Sequence, residues 1–245
     1  MTSGILIFEG MQVGILPGDI SLERKNSQSI SPDIVLSTAY NVLPIWIRIA
    51  HDNLRQAKQA SITISKEWPE NSANQKELLI LELEPSLQVF VSCGIALDAL
   101  YDQLRPFAKL TKMQIQKWRS NRTGRAKQIT EVIRRAYDLK PTVANEFKQD
   151  ITQIIKYRDL AVHPSLELKN SRSRPDIPVG VDWKFSAYRF TNSEWCLQSI
   201  IKILGYLYEN KSQTKKVNEQ MENVILALHE LKVIEFKNNQ AKKKS

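Results

Sequence analysis

Ile151-Thr-Gln-Ile-Ile-Lys-Tyr-Arg-Asp-Leu-Ala-Val-His-Pro164 decides how this chain is read. Phe147, Ile151, Ile154, Ile155 and Val162 recur at helical spacing, the pattern of one face turned to a core. Arg158 stands inside that apolar stripe. Desolvating an isolated guanidinium costs more than the neighbouring burial returns, so Arg158 needs a carboxylate, a carbonyl or a phosphate as its partner. Asp159 follows it directly. His163 comes just before Pro164, a residue that cannot continue a helix. On a regular helix His163 would point away from Arg158, and an unwinding last turn would bring the two together.

Outward from this stretch the chain reads as helical. Eight glycines and ten prolines in 245 residues are few, and a 42% hydrophobic content suffices for one large domain or one domain with appendages. The expected fold is mainly α, an antiparallel helical bundle with a short N-terminal β-hairpin or arm and a small β excursion near 179–190. Residues 1–29 are expected to form the arm and a linker, 30–236 the helical domain and 237–245 a basic tail. No uninterrupted apolar run reaches the ~18 residues of a membrane span, and Met1-Thr-Ser-Gly-Ile5 lacks the basic start of a signal peptide. The expected location is cytoplasmic, with no membrane partner.

The elements follow in order. Ile5–Leu16 forms two β-prone runs around Glu9-Gly10, and Ser21–Ser29 reads as a linker. Ser31-Pro-Asp33 has the chemistry of a helix start, with a capping hydroxyl and an early proline. That helix runs to about Glu67 with a bend at Pro44. Ser72 or Asn74 caps the next, from about Gln75 to Arg105, which is the most apolar and belongs at the centre of the bundle, with Pro85 as a kink or a division. Val89, Cys93, Ala96, Leu97, Leu100 and Leu104 form its main stripe. Asp98 and Asp102 lie on the other face, as a solvated pair or as general acid/base groups.

A short helix around Met113–Trp118, a turn at Asn121–Gly124 and a helix to Asp138 follow. Lys140-Pro-Thr142 opens the helix that carries Arg158. Glu167–Pro178 reads as a loop and Val179–Phe190, with Trp183, Phe185, Tyr188 and Phe190, as a strand pair. Asn192 caps a helix to about Glu209, and the last helix covers Thr214–Phe236.

The formal charge of +9 invites a polyanion. Between Arg105 and Arg135 ten basic residues face the single acid Glu131. Two readings stand: a phosphate-neutralising surface formed by Lys117, Arg119, Arg122, Arg125, Arg134 and Arg135 with Trp118 for base stacking, or a solvated face whose cations pair with acids elsewhere. The tail Lys242–Ser245 reads as a solubilising end. Cys93 and Cys196 fit apolar helical patterns as small packed residues. His51 and His229 read as ordinary structural histidines. No metal site and no cofactor are expected: the Gly-rich phosphate loop, the dinucleotide fingerprint, the zinc-binding histidine pair and the nucleophile-elbow serine are all missing.

Arg158-Asp-Leu-Ala-Val-His163, at a helix end in an all-helical chain, resembles the Arg-x4-6-His motif of HEPN domains. Ser92–Tyr101 resembles the earlier core helix of those domains, so the likeness covers roughly Lys76–Pro164. It implies a metal-independent endoribonuclease of the toxin or defence type, with RNA as substrate and Arg158, Asp159 and His163 as its catalytic set. It also implies a homodimer through the helix that carries Arg158, and leaves room for an antitoxin or neighbouring-gene partner. Ser165 stands where some HEPN toxins carry a tyrosine that a partner enzyme modifies, so this chain departs from that pattern. The competing expectation is a non-catalytic helical scaffold or RNA-binding module, with Arg158 and Asp159 as an ion pair and His163 as a residue favoured by the helix dipole.

Overall fold

The computed structural model of the protein describes residues 5–8, 10–26, 29–163 and 169–235. Pro164, Ser165, the start of the expected loop at Glu167, Phe236 and the tail Lys242–Ser245 lie outside them. The fold is mainly α: among the described residues eight helices form a bundle, preceded by a β arm.

In the arm, β1 (Ile5–Phe8) and β2 (Met11–Gly14) form the expected hairpin, and β5 (Ser37–Tyr40) pairs with the other edge of β2. Gly10 turns at φ 90°, and a Cβ there would sit 2.9 Å from the Asn41 carbonyl oxygen, so the position requires glycine. Between β2 and β5 runs a second hairpin, β3 (Ile20–Asn26) with β4 (Ser29–Ile34). The expected linker over Ser21–Ser29 is therefore largely strand, and Ser31-Pro-Asp33 lies in β4 rather than at a helix start. A two-stranded ribbon has an unpaired edge on each strand, where proline's missing donor goes unnoticed.

The first helix, α1 (Leu43–Lys66), begins where Pro44 falls in the opening turn. There the missing N–H is one of the helix's unbonded donors, so Pro44 starts the helix instead of bending it. A short link leads to α2 (Ser72–Leu104), capped by the Asn71 side chain accepting from the Ala73 amide at 2.8 Å. It continues through the buried Pro85. Apolar on most of its circumference, α2 packs against α1 and against four helices still to come. By length and composition Ser72–Phe107 is apolar enough to cross a membrane, but half of its most apolar window is buried inside the bundle.

Next come α3 (Lys112–Ser120), α4 (Arg125–Tyr137) and α5 (Pro141–Val162). Together with α7 (Phe190–Glu209), α4 and α5 complete the shell around α2, and α8 (Lys215–Glu230) closes against α1 and α7. Asp138 ends α4 in the left-handed conformation, φ 51°. Cys93 and Cys196 are buried and unbonded, and burial, then the neighbouring Cys93, pushes the Cys196 thiol up.

The β excursion sits earlier than expected. β6 (Arg172–Arg174) lies inside the segment read as loop and pairs with β7 (Ile177–Val181), which runs from the end of that segment into the expected strand span, while Trp183–Ala187 is a short helix, α6. Asn192 does not cap α7. Its side-chain amide donates instead to the carbonyls of Ser186 and Ala187, at 3.2 and 2.9 Å. The aromatic residues signalled burial rather than strand: Tyr188 is buried, stacks edge-on against Phe90 and Tyr157, and donates to the Tyr157 carbonyl at 2.8 Å.

Candidate nucleic-acid interface and active site

Arg158 reaches its place because α2 lets α5 come close. Gly94 faces it, and a Cβ on Gly94 would lie 2.6 Å from the Arg158 Cγ. The alkyl stem therefore crosses the bare backbone of Gly94, and the guanidinium arrives one turn further along α2 at Asp98. Nη1 of Arg158 donates to Asp98 Oδ2 at 2.8 Å, and Nε donates to Asp159 Oδ1 at 2.8 Å. The other Asp98 oxygen accepts from Arg125 Nε at 2.6 Å, and the Arg125 guanidinium lies over the Tyr101 ring, 3.8 Å from its centre. The result is an alternating chain, Arg125–Asp98–Arg158–Asp159, whose formal charges cancel.

Asp98 is thus a site residue, not half of a solvated pair with Asp102. The available signal was Gly94 followed four residues later by an acid on a core helix: a notch for a stem with a counter-ion for its head. A stripe of apolar side chains cannot show it, because Gly94 has no side chain to count.

His163 follows the end of α5, its amide bonded to the Asp159 carbonyl at 2.9 Å, and its side chain is exposed. Among the described residues the hydrogen bonds of the Arg158 guanidinium go to Asp98 and Asp159 and not to His163. His163 does share an open groove of ≈ 750 Å³ with Asp159, Lys156, Arg125 and Lys127. The amino end of α4 lines this groove as well, at Gly124 to Ala126, and no side chain caps it. Such an end presents unbonded amides and the positive pole of the helix, both favourable to an anion.

The basic block divides into two kinds of residue. Lys117, Arg119 and Arg122 in and after α3 are exposed and, with Lys127 and Lys156, pair with no acid among the described residues. Arg125 is neutralised by Asp98. Arg134 and Arg135 are held by Glu131, at 2.8 and 2.6 Å. Hydrogen bonds from Arg134 first, and then from Arg135, pull the Glu131 carboxyl down to about 2. At ~1.5 Å per residue Arg134 also lies roughly 13 Å along α4 from Arg125, and it borders a different hollow, with Lys109 and Ser212. Trp118 is half-buried against the core yet walls two hollows next to the groove.

His51 sits 3.6 Å from Asp52 on α1, away from these residues. Among the described residues no cluster of His, Cys, Asp and Glu could hold a metal ion. No family model, curated protein or solved structure matches the chain.

Proposed function

We propose that this chain is a HEPN-like, metal-independent endoribonuclease of the toxin or defence type, cytoplasmic and homodimeric, that cuts RNA through the RNA's own 2′-hydroxyl. The observation that carries the proposal is the shared groove: Asp159 and His163 border it with Lys127, Lys156 and the uncapped end of α4. A phosphodiester seated there meets unpaired cations, amide donors and an imidazole, the side chain suited to exchanging protons near neutral pH. Arg158 does not itself line the groove; with Nε and Nη1 engaged it stands behind Asp159, and on this reading it turns Nη2 to a phosphate oxygen there.

The chemistry needs a base and an acid. His163 of one protomer takes the 2′-hydroxyl proton, the oxygen attacks phosphorus to form a 2′,3′-cyclic phosphate, and the 5′-oxygen leaves with a proton from His163 of the partner subunit. Arg158 and the α4 amides stabilise the charge that builds on the non-bridging oxygens. Among the described residues His163 is the one histidine that borders the groove, so a second protomer supplies the other. Val162, 51% exposed beside His163, is an apolar contact for that protomer to cover. An antitoxin or neighbouring-gene partner would silence the protein by occupying the same groove.

One observation favours a second reading. Asp98 and Asp159 take two of the three Arg158 nitrogens, so the ion chain also serves as a structural clamp in a non-catalytic RNA-binding or scaffold module. The test is incubation of wild type and His163→Ala with total RNA in EDTA. Cleavage by wild type alone, leaving cyclic phosphate ends, supports the enzyme. Equal cleavage by both, or none, leaves the module.

A further inference from the structure

We infer that the hollow between α3 and the start of α4 is a subsite for an unpaired nucleobase next to the phosphate held in the groove; this rests on the RNA reading but not on cleavage. The hollow measures ≈ 470 Å³ and is walled by Met113, Gln114, Lys117, Trp118, Asn121 and Lys127 among others. Its size falls within the ~300–1,000 Å³ usual for small-ligand clefts. An indole and a thioether offer apolar, polarisable surface for a flat ring. The amide side chains of Gln114 and Asn121 can meet base edges, and two lysines without acid partners meet the flanking phosphates. No carboxylate lines the hollow.

Met113 adds a separate argument. It is 77% exposed at the start of α3, where it contributes nothing to the bundle. A bare thioether beside a half-buried indole and two cations is poorly explained by folding and well explained by a stacking ligand. Continuity places the hollow with the groove, because Lys127 borders both. A strand with its phosphate beside His163 would therefore lay a neighbouring base against Trp118. In a duplex the bases face inward and are stacked, so none is free to enter; the ligand class is single-stranded RNA.

The test is binding to the full chain carrying His163→Ala, which holds RNA intact. Three probes are compared: an unstructured oligoribonucleotide, the same length of RNA duplex, and inorganic polyphosphate. The single strand should bind more tightly than the duplex. Trp118→Leu, which keeps apolar contact with the core, should weaken the single strand by roughly 5- to 100-fold, the range of one lost base stack, while changing duplex and polyphosphate little. Met113→Ser, at a position too exposed to unfold the chain and with no change of charge, should act in the same direction. Equal weakening of all three probes, no weakening of any, or failure of every probe to bind would overturn the subsite. Selective loss in a protein that cuts no RNA would retain the subsite and reject the nuclease. Cleavage by the His163 form of the chain without dependence on Trp118 would do the reverse.

Discussion

Arg158 shows how much a single small neighbour controls. Its stem needs the missing side chain of Gly94, so Gly94→Ala must push α5 away from α2 or bend the arginine off Asp98. Overpacking of this kind costs about 1–3 kcal/mol. Gly94→Ala should lower stability by that amount in urea titration and, on the nuclease reading, reduce cleavage further than it reduces folding. Glu131 makes a prediction in pH. Its carboxyl is lowered from an ordinary 4.5 to about 2 by Arg134 and Arg135, so its stabilising contribution is complete above 4.5 and is lost as pH falls toward 2. Comparing wild type with Glu131→Gln should show a stability gap at neutral pH that narrows through this window. A gap that stays constant would mean that the pairs are not formed.

At the scale of elements, the β6–β7 hairpin depends on one buried cation. Arg174 donates to Glu82 on α2 at 2.7 Å, to the Phe185 carbonyl at 2.9 Å and to Asp176, while Glu82 also accepts from the Phe190 amide at 2.9 Å. Both the Arg174 and the Glu82 side chains are 1% exposed. Removing Glu82 leaves Arg174 paired with Asp176 but strands its buried Nη1 and the Phe190 amide without their carboxylate, at a cost of about 1–3 kcal/mol for each group left unsatisfied. Glu82→Leu alone should therefore destabilise the chain severely, and Glu82→Leu with Arg174→Met should recover much of the loss in thermal unfolding. The double variant remaining as weak as the single would refute this account. Because Glu82 also bonds the first amide of α7, loosening the hairpin should expose that helix start to hydrogen exchange.

For the whole molecule, the proposed chemistry needs two chains. Val162→Asp places a charge on the apolar spot beside His163, and light scattering should then show monomer where wild type shows dimer. Cleavage should fall with the dimer fraction and recover at high protein concentration. A variant that stays dimeric and active would move the interface elsewhere. The arm offers another exposed apolar set, including Val35 and Leu36 at 60% and 55% exposure, so the same measurement on Val35→Asp is the natural control.

The helices from α2 to the carboxyl end of α5 are legible in one dimension, although α2 is capped by Asn71 rather than by Ser72 or Asn74, because start signals, apolar periods and stops are local: a cap, a turn and a proline act within a few residues of themselves. The sequence by itself also marked Arg158 as a residue in need of a partner. The tertiary structure decided which partner. Asp98 lies 60 residues from Arg158 in the chain, and neither position announces the other, since their meeting depends on how closely two helices approach. The same holds for the basic block, where free and neutralised cations look alike in one dimension. In the arm β1 and β2 were legible, while β3, β4 and β5 escaped for a related reason: a ribbon is stabilised by pairing between segments, and pairing leaves no periodic mark on either strand as strong as a buried helix leaves on itself.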